Sequence, residues 1–118
     1  MWVKKPWGKM FVWTESALYI GKVLRIRKGH RLSLQYHKKK AESVYVLKGR
    51  MQITIIDKGS CHDGTVGLSV LYPGQSYDIP PGTIHRFEAP FGPVELVEVA
   101  VGDDRDIVRI ADDYGRVK

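Results

Sequence analysis

Apolar and polar residues alternate in short runs along nearly the whole chain, and glycine or proline interrupts the runs. The segments Lys9–Thr14, Ala17–Arg27, Leu32–His37, Ser43–Leu47 and Arg50–Asp57 predict strands, being rich in Val, Ile, Leu and Tyr. So do Gly67–Leu71, Ser76–Ile79, Ile84–Glu88 and Val94–Val101. Between them stand Lys28-Gly29, Lys48-Gly49, Asp63-Gly64, Pro73-Gly74, Pro81-Gly82 and Gly92-Pro93, which read as turns. Only Asp103–Tyr114 has room for a short helical turn. Many short strands at this spacing predict an all-β, antiparallel sandwich or barrel, and closure removes exposed edges.

Composition narrows the classes. The chain has 118 residues, 43% hydrophobic and 27% charged, the balance of one globular domain spanning 1–118. Its one cysteine, Cys61, rules out an internal disulfide framework and a multi-thiolate zinc site. No apolar run approaches the roughly 18–20 residues of a membrane span. Met1 is followed by Trp2-Val3-Lys4-Lys5-Pro6, unlike a signal peptide, so a soluble, cytoplasmic protein without a membrane partner is the expectation.

A net charge of +6 suits an anionic partner. The basic residues are scattered except for Lys38-Lys39-Lys40, which reads as a solvated turn. No nucleic-acid-binding pattern accompanies them, so nucleic acid is not the expected partner. Cys61-His62-Asp63-Gly64 reads as an exposed hairpin turn, and His30 as a surface residue. Trp2, Trp7, Trp13 and Phe11 cluster near the start, where packing is the simplest role.

Candidate metal ligands occupy two segments. Gln35 and His37 stand two apart on a predicted strand and so share a face. Glu42 opens the next strand after a short turn, and His85 follows the stiff Pro80-Pro81-Gly82 turn. Imidazole, carboxylate and amide oxygen form a donor set for zinc, manganese, iron, cobalt or nickel, with zinc first. One carboxylate on a divalent ion leaves positive charge that favours an oxyanion or a polarised carbonyl.

The spacing Gly29, Gln35, His37, Glu42, Gly49 resembles the first motif of the cupins, with Gln35 where a histidine usually stands. Gly74, Pro80, Gly82, His85 resembles the second, with Ala89 at its usual terminal asparagine. The resemblance implies a cupin double-stranded β-helix, a jelly-roll-like barrel with a metal in its mouth. Lys5-Pro6-Trp7-Gly8, the stretch from Leu32 to Glu42, Ile79-Pro80-Pro81-Gly82-Thr83-Ile84-His85-Arg86 and the tail Asp106–Arg116 are similar to the type II mannose-6-phosphate isomerase family. That family's cupin domain is often fused behind a GDP-mannose pyrophosphorylase domain and sometimes stands alone. The chain departs from it at Lys39, where a histidine is usual, at Lys40, where arginine is, and at Ala100 in place of glutamine.

The resemblance implies metal-assisted conversion of mannose 6-phosphate to fructose 6-phosphate. Moving a proton between C1 and C2 needs a base within reach and a cation at the developing oxyanion. Glu98, with Glu95 as its rival on the last long strand, is the candidate for the proton, and Arg109 is a second catalytic candidate. The phosphate needs fixed positive charge, for which Arg109 and Arg116 rank first, ahead of Arg86, Lys39 and Lys40. Arg86 is expected on the opposite face, in a surface or ion-pair role. Small cupins commonly pair, so a homodimer is expected. Two other readings remain: a non-catalytic cupin that binds a sugar or sugar phosphate, and another metal-dependent cupin enzyme such as a dioxygenase.

Overall fold

The computed structural model describes residues 1–57, 65–101 and 106–117, with the backbone alone at 57, 65 and 66. The described strands are β1 (Trp2–Lys5), β2 (Gly8–Glu15), β3 (Ile20–Ile26), β4 (Leu34–His37), β5 (Ala41–Lys48) and β6 (Met51–Asp57). They continue with β7 (Thr65–Leu71), β8 (Ser76–Ile79), β9 (Ile84–Glu88), β10 (Val94–Val101) and β11 (Ile107–Ala111). One sheet runs β1-β2-β3-β10-β5-β8 and the other β11-β4-β9-β6-β7. Their inner faces enclose a core that includes Leu24, Val46, Ile53, Phe87, Val94 and Leu96. The chain is therefore all-β, with two antiparallel sheets facing each other across one core. No helix among the described residues is long and apolar enough to cross a membrane.

The period-2 pattern explains how the strands sit, and one departure from it builds the site. On β10 the inward positions are Val94, Leu96, Glu98 and Ala100. Leu96 lies in register with Leu24 on β3 and Val46 on β5, an apolar level. One step along, Glu98 is opposite Lys22 and Val44, and one step further Ala100 is opposite Glu42. An apolar floor thus gives way to a charged layer at one end of the barrel.

Several expectations change. The segment with room for a short helical turn has Asp106 in 3₁₀ conformation and then forms β11 at Ile107–Ala111, pairing with β4. Its β-branched Ile107 and Val108 suit a pleated surface, and the edge of β4 was open to receive them. Residues 103–105 of that expectation, and the Cys61-His62-Asp63-Gly64 turn, lie outside the described residues. Trp2–Lys5 forms an additional edge strand against β2, and β3 is shorter than Ala17–Arg27. The lysine run is not uniformly solvated: Lys38 and Lys39 are exposed, but Lys40 is 3% exposed. Arg86 is buried rather than at the surface, its Nε donating to the Leu32 carbonyl and its Nη2 to that of Ala111. The tryptophans separate. Trp7 is in the core, Trp13 is exposed, and Trp2 packs on Phe11 beneath Lys9 and Arg25.

Two local features carry tests. Gly49 turns the β5–β6 hairpin at φ 81°, and a Cβ there would collide with the Pro93 carbonyl. Gly49→Ala is expected to lower stability by about 1–3 kcal/mol in urea unfolding, because a left-handed backbone and a backbone clash add. The tail after β11 is clasped to the barrel by Arg31 on Asp113 and His30 on Tyr114, and is closed on itself by Arg116 on Asp112. The Arg116 guanidinium holds the Asp112 carboxyl down to about 2 from 3.8. A depressed carboxyl contributes stability above its unfolded pKa and loses it as pH falls through its folded one. Protection of the tail amides, taken relative to intrinsic exchange at each pH, should therefore fall between about pH 4 and pH 2, and Asp112→Asn should remove that dependence.

Candidate metal centre

Three strands from two sheets bring the ligand candidates together. His37 ends β4, Glu42 is the second residue of β5, and His85 is the second of β9. One donor atom from each lies within 4.8 Å of the others, and all three residues are buried. His85 Nδ1 is 2.9 Å from the Thr83 carbonyl and His37 Nδ1 is 2.8 Å from Asp106 Oδ1. Both partners only accept, so each Nδ1 carries the proton and each Nε2 presents a lone pair.

Those lone pairs meet a carboxylate. His85 Nε2 is 2.7 Å from Glu42 Oε1, and His37 Nε2 is 4.0 Å from Glu42 Oε2. The short approach is not an aligned hydrogen bond: His85 Nε2 and both Glu42 oxygens are buried without a hydrogen-bond partner. Three electron-pair donors converging in a dry place, with no proton between them, fit a divalent cation. Gln35 stands in register with His85 on the neighbouring strand, its Oε1 accepting from Ser33 Oγ at 2.6 Å.

The charges around this centre alternate. Lys40 Nζ lies 3.6 Å from Glu42 Oε2 and 4.0 Å from Glu98 Oε2, and Lys22 Nζ lies 3.9 Å from the latter. Burial alone would raise the Glu42 carboxyl. The close approach of His85 and Glu98 and the charge of Lys40 carry it below the usual carboxylate range. Glu98 goes the other way: burial, then the charge of Glu42, push it up to about 8 against the pull of Lys40 and Lys22. Burial also lowers the His37 imidazole, which keeps it neutral and able to ligate.

A cleft of about 160 Å³ opens beside the ligands. Its walls include Glu98, Lys40, Lys22, Lys5, Arg109 and Arg116, and Glu98 is the only acid lining it among the described residues. Arg109 comes from β11, opposite Gln35, and its Nε is buried with no hydrogen-bond partner. Burial and the charge of Arg116 lower its pKa, against the pull of Asp112. Lys39 does not line the cleft; its side chain is exposed, and its backbone N–H donates to Asp106. Glu95 faces outward on Arg25. His30 is half-buried against Tyr114.

The ligand candidates and every named wall of the cleft except Arg116 fall within a recognised sequence family. Residues 1–112 match the family described as Mannose-6-phosphate isomerase C-terminal. The chain belongs to this family. Among its relatives, a mannose-1-phosphate guanylyltransferase of Escherichia coli K12 is 36% identical over 119 residues, covering 98% of the chain and 23% of that protein. The alginate biosynthesis protein AlgA of Pseudomonas aeruginosa is 35% identical, covering 97% of the chain and 23% of its own length. The chain thus spans about a quarter of these curated relatives. By shape it resembles an oxalate decarboxylase variant of Bacillus subtilis, with a TM-score of 0.80 and 20% identity, over 93% of this chain and 30% of that one. It also resembles KdgF from Halomonas, with a TM-score of 0.75 and 14% identity, over 89% of each chain. These likenesses show the cupin fold of the family domain.

Sequence reasoning passed over Lys22, Lys5, Trp7 and Asp106 as site residues. Lys22 had a signal: it sits at an inward position between Ile20 and Leu24, where a surface lysine does not belong. Asp106 had none, because its partner is 69 residues away. Glu42→Ala and His85→Ala should each weaken zinc or cobalt binding by more than the roughly 10–100-fold that loss of an outer-shell partner costs. Circular dichroism should show the strands retained, and competition with a chelator measures the affinity.

Proposed function

We propose that this family domain is a metal-dependent sugar-phosphate isomerase acting between mannose 6-phosphate and fructose 6-phosphate. The observation that carries the reading is a cleft that reaches the three-donor centre through His37 and is lined by Glu98 and by Arg109, whose buried Nε has no hydrogen-bond partner among the described residues. The family description and the mannose-phosphate chemistry named for its relatives support the same substrate class.

The chain's own residues divide the work. Arg109, whose Nε is without a partner among the described residues, binds and orients the phosphate, with Lys5 and the Asp112-paired Arg116 adding positive charge from the cleft wall. His37, Glu42 and His85 would hold the metal. Bound there, the ion supplies Lewis-acid stabilisation of the charge that develops on the sugar oxygens. Glu98, in its carboxylate form, takes the C2 proton of the aldose and returns it to C1, while a proton passes from O2 to O1. Lys40 and Lys22 keep the Glu98 carboxyl fixed between them. Trp7, Leu24 and Leu32 form the apolar side of the cleft and limit water around the reacting carbons.

The test is an enzyme-linked assay of fructose 6-phosphate formation, using chelator-treated protein reloaded separately with zinc, manganese, cobalt, nickel and iron(II). Metal-dependent turnover is expected. Glu98→Gln should retain the metal and lower kcat by roughly 10²–10⁴-fold, the usual worth of a positioned proton carrier. Folded, metal-loaded protein that turns over mannose 6-phosphate with none of these ions would overturn the proposal and leave a sugar-phosphate-binding module.

A further inference from the structure

Asp106 lies where the C-terminal segment returns to the barrel, directly before β11, and its carboxylate is fully engaged. Oδ1 is 2.8 Å from His37 Nδ1, while Oδ2 accepts from the backbone N–H of Lys39 at 2.7 Å and of Lys40 at 2.9 Å. One side chain thus grips a metal-ligand candidate, the turn that follows it, and the strand carrying Arg109. The side chain is 17% exposed, so these bonds are largely shielded from water.

We infer that Asp106 is a positioning residue for the metal centre: it holds His37 in the Nδ1–H tautomer and ties the docking of the C-terminal segment to ligation. The inference rests on the metal reading of His37, Glu42 and His85, and extends it to a residue outside both ligand-bearing segments. The chemistry is specific to a carboxylate. An ionised carboxylate only accepts, so it leaves the proton on Nδ1 and the lone pair on Nε2, facing Glu42. It also accepts two backbone N–H groups at once through its second oxygen. An asparagine cannot do both. With its oxygen toward the backbone, its NH₂ faces His37 and favours the Nε2–H tautomer, which has no lone pair for a metal. With its oxygen toward His37, its NH₂ is set against the two amide donors.

A purely structural brace would behave differently. Asp113 also fastens the tail, through both its oxygens on Arg31, yet it touches no ligand candidate. Asp113→Ala therefore loosens the segment without addressing His37. Comparison of the two sites separates tail docking from control of the imidazole.

The experiment compares wild type, Asp106→Asn, Asp106→Ala and Asp113→Ala in the full chain. Zinc and cobalt affinities are measured by chelator competition, and the His37 tautomer by nitrogen-15 NMR of the metal-free imidazoles. Both Asp106 variants should bind zinc roughly 10–100-fold more weakly, the usual cost of losing an outer-shell carboxylate. The Nδ1–H signature of His37 should be lost in Asp106→Asn, and Asp113→Ala should match wild type in both readouts. Wild-type zinc affinity in Asp106→Asn with an unchanged tautomer would overturn the inference while leaving the metal centre standing. Equal losses in Asp113→Ala would also overturn it, by assigning the effect to tail docking alone. A wild-type protein that takes up neither ion would overturn the metal reading, and this inference with it.

Discussion

Everything at the mouth of the barrel depends on one electrostatic constraint: a buried carboxylate faces two imidazole nitrogens that have no protons to offer it. Unpaired buried charge is costly, and like-signed electron density makes it costlier. The protein meets this in two ways. Lys40 places its ammonium beside Glu42 from within the same barrel mouth. The three donor atoms also lie within 4.8 Å of one another, an arrangement that a divalent cation would satisfy. The second solution needs both histidines locked by their outer nitrogens, which Thr83 and Asp106 do from opposite sides of the site.

That requirement explains why the sheet register has functional weight. Glu42, His37 and His85 come from β5 in one sheet and β4 and β9 in the other, so they meet only where the two sheets face each other. A one-residue slip of β5 would turn Glu42 outward and bring Ser43 in. The inward positions of β3 and β10 change from leucine and valine to Lys22 and Glu98 at the same level. Across two strands the floor of the barrel therefore ends and the charged layer begins in step. Below it, core packing supplies rigidity; above it, fixed charges are held at distances set by backbone pairing rather than by loops.

Much of this was readable from the residues. Alternation located nine of the strands, and the two histidine-bearing motifs singled out His37, Glu42 and His85, because ligand spacing within a motif is a local property. What escaped was non-local. A lysine or arginine in a polar run looks solvated until its partner is known. The Lys38-Lys39-Lys40 run therefore reads as a solvated turn, with Lys40 a phosphate candidate, and Arg86 as a surface or ion-pair residue, although Lys40 is buried beside Glu42 and Arg86 on the carbonyls of Leu32 and Ala111. Lys22 is anchored to a carboxyl 76 positions later in the chain, beyond any window of periodicity. β11 was hidden for a related reason: its charged neighbours resemble a helical turn, and only the unpaired edge of β4 makes a strand the better outcome.

The C-terminal segment joins the two halves of the proposed chemistry. It contributes Arg109 and Arg116 to the cleft and Asp106 to His37, while its own tail is clasped by Asp112 and Asp113. Two guanidinium groups in one cleft repel each other, and the buried Arg109 Nε lacks a partner. An incoming dianion relieves both costs at once, whereas a neutral sugar can accept from the Nε–H but leaves the charge repulsion in place. Under the isomerase reading, phosphate binding therefore stabilises the docked segment that also orients His37. The same segment then favours phosphorylated ligands and assembles the metal-binding geometry, linking substrate class to ligation through one stretch of backbone.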